Sequence, residues 1–184
     1  YLAVSISFGV SAVNMGLSII EVLFISMANM TSAGQLAGAP IIAGGGSFFA
    51  LGFGQLFINL RYALMSVSLS QRLDSKVTLI DRLFIGFGVT DEIFAVSVSQ
   101  DRAVSKEYMY GLIALPYLGW TLGTLIGALL GVVVSTYLPP FVLAALGIAI
   151  YGMFIAIIIP PARQNKLLAG LIVISMLASL LFCI

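Results

Sequence analysis

Residues 79–99 read LIDRLFIGFGVTDEIFAVSVS, an apolar run interrupted at its centre by Thr90-Asp91-Glu92. The run has the length of one bilayer crossing, about 20 residues. A threonine followed by two carboxylates has the form of an N-cap and a first helical turn, where the helix dipole favours acidic groups. The run is therefore expected to be two half-helices meeting at Thr90. A second run, 18–43, is interrupted by Thr31-Ser32-Ala33-Gly34-Gln35. Ser32 and Gln35 have capping-box spacing there, which predicts a new helix start. Non-helical backbone at membrane depth is tolerated only where protein buries it or where it lines a wet cavity. Two such breaks are a pointer to a transport site.

The rest of the chain fits a bilayer. Of its 184 residues 61% are hydrophobic and only 8% charged, and the mean hydropathy is +1.16. Soluble domains carry about 25% charged residues, so a water-facing surface cannot be built from this supply. Apolar stretches cover 1–14, 18–43, 47–70, 79–99, 108–135, 139–159 and 167–184. Between them lie Gly16-Leu17-Ser18, with Ser18 and Glu21 spaced as a capping box, and Gly44-Gly45-Gly46. Pro139-Pro140 opens the sixth stretch and Pro160-Pro161 closes it. The expected fold is all-α: one transmembrane domain over residues 1–184, a polytopic helix bundle with about five spanning helices and two broken or re-entrant hairpins. The chain begins and ends in helical pattern, which suggests the ordered part of a somewhat longer protein.

Charge placement decides the hairpins. If all seven stretches crossed, Arg72, Lys76 and Arg82 would face one side, and Arg102, Lys106, Arg163 and Lys166 the other. The positive-inside rule disfavours that split. If 18–43 and 79–99 each enter and leave on one side, all seven loop cations share one face, the cytoplasmic one. A net charge of +1 leaves no patch for nucleic acid. The absence of histidine removes His-based triads and HExxH metal sites, and no phosphate-binding motif is present. No enzyme, cofactor or metal is expected. The single cysteine, Cys183, reads as a packing residue.

Each candidate site residue has a plainer alternative. A mid-membrane carboxylate costs about 2.5–3.5 kcal/mol, so Asp91 and Glu92 need a substrate ammonium, a coupling proton or partners; the alternative is a surface N-cap neutralised by Arg82 or Arg102. Ser32, Ala33, Gly34 and Gln35 form a half-helix N-terminus suited to a carboxylate, with Gly34 admitting a ligand close to the backbone; the alternative is a sealed kink. Together the breaks suit a zwitterionic amino acid, with Leu36 and Phe94 beside its side chain. Gln55, Asn59, Tyr62 and Ser66 make a polar stripe on one helix, either lining a pathway or bonding to neighbouring helices. Arg61 falls nearly opposite that stripe, about 14 Å from the helix end at Ser70, and calls for an ion pair with Asp91, Glu92 or Glu21. Gly119, Gly123, Gly127 and Gly131 recur every four residues, a signal of close helix packing.

Several of these blocks, in this order, resemble the landmarks of the AzlC family. They are Thr31-Ser32-Ala33-Gly34-Gln35, Asn59-Leu60-Arg61-Tyr62 and Gly88-Val89-Thr90-Asp91-Glu92-Ile93-Phe94-Ala95. Gly119-Trp120, Gly123-Thr124, Gly127-Ala128 and Met153-Phe154-Ile155-Ala156 with Pro160 follow. The chain departs from the pattern at Ser32, where glycine is usual, and at Tyr62, where histidine often follows the arginine. The resemblance implies the large subunit of a bacterial branched-chain amino acid exporter, a multi-pass permease of the cytoplasmic membrane paired with a small AzlD-type subunit. A non-transporting or channel-like membrane subunit of a larger complex is the alternative.

Overall fold

A computed structural model describes residues 1–137, 148, 152, 155, 159, 162–163 and 165–182. Pro139, Pro140, Pro160, Pro161 and Cys183 lie outside the described residues, as do Met153, Phe154 and Ala156. The described residues form helices α1 (Leu2–Asn14), α2 (Ile19–Ala28), α3 (Ser32–Ala43), α4 (Phe48–Ser70), α5 (Leu79–Gly88), α6 (Asp91–Val98), α7 (Lys106–Tyr137) and α8 (Lys166–Phe182). Both interrupted runs are thus pairs of half-helices, α2 with α3 and α5 with α6.

Local chemistry sets the boundaries. Gly16 turns the chain after α1 at φ +95°, a conformation that suits glycine. Ser18 caps α2 in a reciprocal box with Glu21, and Thr78 caps α5 in the same way with Asp81. Gly45, at φ +65°, follows α3, and Ser47 caps α4 by accepting the Ala50 N–H at 3.1 Å. At the second break Thr90 is the N-cap of α6 and accepts the Ile93 N–H. The first break differs from expectation. Thr31, not Ser32, is the N-cap of α3, and no side chain caps it. The Thr31 N–H and hydroxyl both donate to Asn29 Oδ1, at 3.0 and 2.7 Å. An asparagine that folds the backbone on itself replaces the Ser32–Gln35 box and frees Gln35 to turn inward.

Helix α7 is the axis of the fold. Ser5 donates to the Gly119 carbonyl, while Gly127 meets the Ile6 backbone and Gly131 that of Val10. Helix α1 therefore runs parallel to α7. A Cβ on Gly127 would sit 2.8 Å from the Ile6 Cα, and one on Gly9 2.7 Å from the Ala128 nitrogen. The glycine repeat is the surface against which α1 lies, backbone to backbone. Farther along α7, Ala128 packs with Phe8, Ala12, Leu17, Val22 and Ala39. The start of α2 and the end of α3 thus share the far end of α7. At the near end, Leu73 pairs with Val104 in a parallel bridge. The Asp74 N–H donates to the Val104 carbonyl at 3.0 Å, and the Val104 N–H to that of Arg72 at 2.9 Å. The loop entering α5 is therefore joined to the loop leaving α6. Asp74 also accepts the Lys76 backbone N–H, the main reason its carboxyl sits below the usual range.

Each half-helix pair thus enters and leaves at one end of α7, α2–α3 at the far end and α5–α6 at the near end. Helices α4 and α7 contain segments long and apolar enough to cross a membrane, Phe48–Ser70 and Lys106–Val133. None of the apolar window of α4 is buried, and Phe48 is 93% exposed. A continuous apolar face of that size is a lipid surface or an interface.

Candidate functional site

The two breaks meet beside the middle of α7. Ser32, at the start of α3, and Thr90, Asp91 and Glu92, at the start of α6, line one small cavity with Tyr1, Met30, Tyr62 and Trp120. The space open to the centre of a water molecule is about 20 Å³, room for about one water. The cavity as it stands is too small for an amino acid.

Its two carboxylates have unlike surroundings. Asp91 Oδ2 lies 3.1 Å from Arg61 Nη2. Arg61 reaches it by folding over its neighbour: Cζ sits 4.7 Å from the Tyr62 ring centre, and Nη2 donates to the Tyr62 hydroxyl at 2.8 Å. Helical angle alone places Arg61 away from this face, and its long side chain bridges the difference. Glu92 Oε2 instead accepts the Tyr1 hydroxyl at 2.8 Å. It has no cation within ion-pair distance among the described residues. The Tyr1 hydroxyl also contacts Thr90 Oγ1, and its ring meets Trp120 edge-on, 6.0 Å between centres.

A buried amide network supports the first break. Trp120 Nε1 donates to Gln35 Oε1 at 3.2 Å, and Gln35 Nε2 donates to Ser26 Oγ at 3.2 Å and to the Asn29 carbonyl. Ser26 and Thr124 share a buried hydrogen bond of 2.6 Å. Gln55 Nε2 donates to the Gly34 carbonyl at 2.7 Å, and Gln55 Oε1 accepts from Asn59 and Asn29 at 3.0 and 3.3 Å. A Cβ on Gly34 would meet Gln55 Oε1 at 2.6 Å.

Of the residues singled out from the sequence, Ser32, Thr90, Asp91 and Glu92 come together at the cavity, and Arg61 touches it through Asp91. Ala33, Gly34, Gln35 and Asn59 do not line it. Gly34 faces Gln55 rather than open space, Gln35 fixes Trp120, and Asn59 bonds to Gln55. Leu36 packs beside Val4 and Trp120, and Phe94 packs in the near-end cluster with Leu69 and Ile93. The polar stripe divides: Gln55 bonds across to α3, whereas Tyr62 lines the cavity. Tyr1, Met30 and Trp120 are cavity residues that sequence reasoning missed. Trp120 sits among the packing glycines and so looks like packing, and the role of Tyr1 depends on a contact with a residue 89 positions away.

Residues 1–134 match the family described as AzlC protein. The chain belongs to the AzlC family. It is 28% identical over 171 residues to the inner membrane protein YgaZ of Escherichia coli K12, covering 90% of this chain and 69% of that protein. It is 31% identical over 170 residues to an uncharacterized membrane protein of Archaeoglobus fulgidus, covering 92% and 73%. No solved structure matches. Family membership and the apolar helical surface together make this an AzlC-type membrane protein.

Proposed function

We propose that the chain is the large subunit of a secondary transporter exporting small zwitterionic amino acids of the branched-chain class. It works in the bacterial cytoplasmic membrane with a small AzlD-type subunit. About five helices span, and α2–α3 and α5–α6 re-enter from opposite faces. The near-end loops carry Arg72, Lys76, Arg102 and Lys106, which assigns that face to the cytoplasm.

The observation that supports this reading is the meeting of two half-helix N-termini of unlike charge at one cavity. Helix α3 opens with the uncharged Thr31-Ser32-Ala33, so its free N–H groups and dipole favour a carboxylate. Helix α6 opens with two carboxylates, of which Asp91 is matched by Arg61. Glu92 has only a phenol, and it holds the substrate ammonium or a coupling proton. Met30 and Trp120 supply apolar wall. A cavity for one water cannot hold an amino acid, so loading requires the half-helices to part.

Export of radiolabelled leucine from loaded cells, with the small subunit present, tests the reading. Glu92→Gln is expected to cut export at least about tenfold, a loss of roughly 1.4 kcal/mol. Unchanged export would remove Glu92 from the mechanism. The small cavity also suits a non-transporting membrane subunit. Thermal stabilisation by leucine, isoleucine or valine, but not by lysine or glutamate, distinguishes the two.

A further inference from the structure

The two interrupted runs are alike in sequence as well as shape. Ser18-Ile19-Ile20-Glu21-Val22-Leu23-Phe24-Ile25 and Thr78-Leu79-Ile80-Asp81-Arg82-Leu83-Phe84-Ile85 stand sixty residues apart. They share the capping hydroxyl, the acidic residue three positions on, and Leu-Phe-Ile. Upstream, Tyr1-Leu2-Ala3-Val4-Ser5-Ile6-Ser7 matches Tyr62-Ala63-Leu64-Met65-Ser66-Val67-Ser68 in the tyrosine and both serines, sixty-one residues apart. Downstream, the N-caps Thr31 and Thr90 stand fifty-nine apart. The register slips by one residue in each intervening stretch.

The fold carries the same likeness with its direction reversed. Helices α2 and α5 each have ten residues and a reciprocal capping box. Yet α1 runs toward the far end of α7 and α4 toward the near end, and the half-helix pairs dip in from opposite ends. This is the topology of an inverted repeat related by a pseudo-two-fold axis in the membrane plane. The cavity lies at that axis, because the equivalent residues Tyr1 and Tyr62 both line it, as do the equivalents Ser32 and Asp91.

One contact breaks the symmetry. The Tyr1 hydroxyl crosses to Thr90 and Glu92 of the other repeat. Tyr62, its equivalent, accepts from Arg61 instead of reaching the Thr31–Ser32 break. We infer that the chain is an inverted duplication whose two repeats exchange conformations about the cavity, Tyr1 closing it over α6 in this state and Tyr62 closing it over α3 in the other. The exchange governs access to the cavity whatever solute fills it, so it goes beyond the proposed substrate.

The test uses a Cys183→Ser background with one cysteine at Ser32→Cys. Its alkylation by a membrane-impermeant maleimide is followed from each face, in right-side-out and inside-out vesicles. Tyr1→Phe is expected to shift the ratio of the two rates about fivefold toward one face, the effect of one hydrogen bond. Tyr62→Phe shifts it in the opposite sense. Shifts of the same sign, or an unchanged ratio in both variants, overturn the inference. A second measurement needs neither tyrosine variant. Spin labels at the equivalent exposed positions Ile20→Cys and Ile80→Cys are expected to give two distance populations, and a single narrow one overturns the exchange. Opposite shifts without leucine export would sink the substrate reading and leave the exchange standing.

Discussion

Trp120 is the sole tryptophan of the chain, and it stands at the cavity wall with its indole N–H held by Gln35. Its emission therefore reports the site directly. Leucine added to the detergent-purified protein is expected to change Trp120 fluorescence saturably, while glutamate leaves it unchanged; identical titrations for both would separate the cavity from amino acid binding. Gln35→Leu strips the indole of its acceptor and Ser26 of a donor in a dry environment. A buried polar group left unpaired costs about 1–3 kcal/mol, so thermal unfolding should fall by several degrees, against little change for Ser175→Ala on exposed α8. The acidic pair at the second break was legible in the sequence, because a carboxylate inside an apolar run is costly and marks a place where something must neutralise it. The inward turn of Gln35 was not. It follows from Asn29 taking over the Thr31 N–H, and a spacing rule does not choose between two adjacent hydroxyl residues as the cap.

At the level of helices, the glycine repeat makes a graded prediction. Gly127 touches the backbone of α1, whereas Gly119 has open space where its Cβ would stand. Gly127→Leu must push α1 off α7 and is expected to cost about 1–3 kcal/mol or more by overpacking. Gly119→Ala should be neutral or slightly stabilising in the same helix. Chemical unfolding in mixed micelles reads the difference; equal losses would mean that α1 does not lie along this stripe. Helix boundaries were partly legible, since Ser18 with Glu21, the Gly44-Gly45-Gly46 run and Thr90 each perform the local chemistry expected of them, whereas the caps Ser47 and Thr78 came only with the structure. The partner of the stripe was not, because small residues at fourfold spacing announce a close neighbour without saying which helix it is.

On the scale of the whole molecule, the bridge between Leu73 and Val104 puts the loops around Lys76 and Asp101 on one face, and Gly45 belongs to the other. Single cysteines at these positions, in a Cys183→Ser background, should react with an impermeant reagent from one side for Lys76→Cys and Asp101→Cys and from the opposite side for Gly45→Cys. Labelling of Lys76→Cys and Asp101→Cys from different sides would make α5–α6 a true crossing. That the two interrupted runs turn back was legible from seven cations needing one face, a constraint on the chain as a whole. Their convergence on one cavity was expected from the complementary chemistry of the two breaks and not from spacing, since distance across the bundle leaves no mark there. The pairing of α1 with α7 also bears on how the protein is made. Ser5 and the carbonyl it meets are 114 residues apart. At about 5–20 residues per second of synthesis, α1 waits roughly 6–23 s in the bilayer before its glycine-lined seat on α7 leaves the ribosome. Until then Ser5, Ser7 and the bare backbone at Gly9 face lipid or the insertion machinery, so the fold closes from the later-made α7 back onto α1.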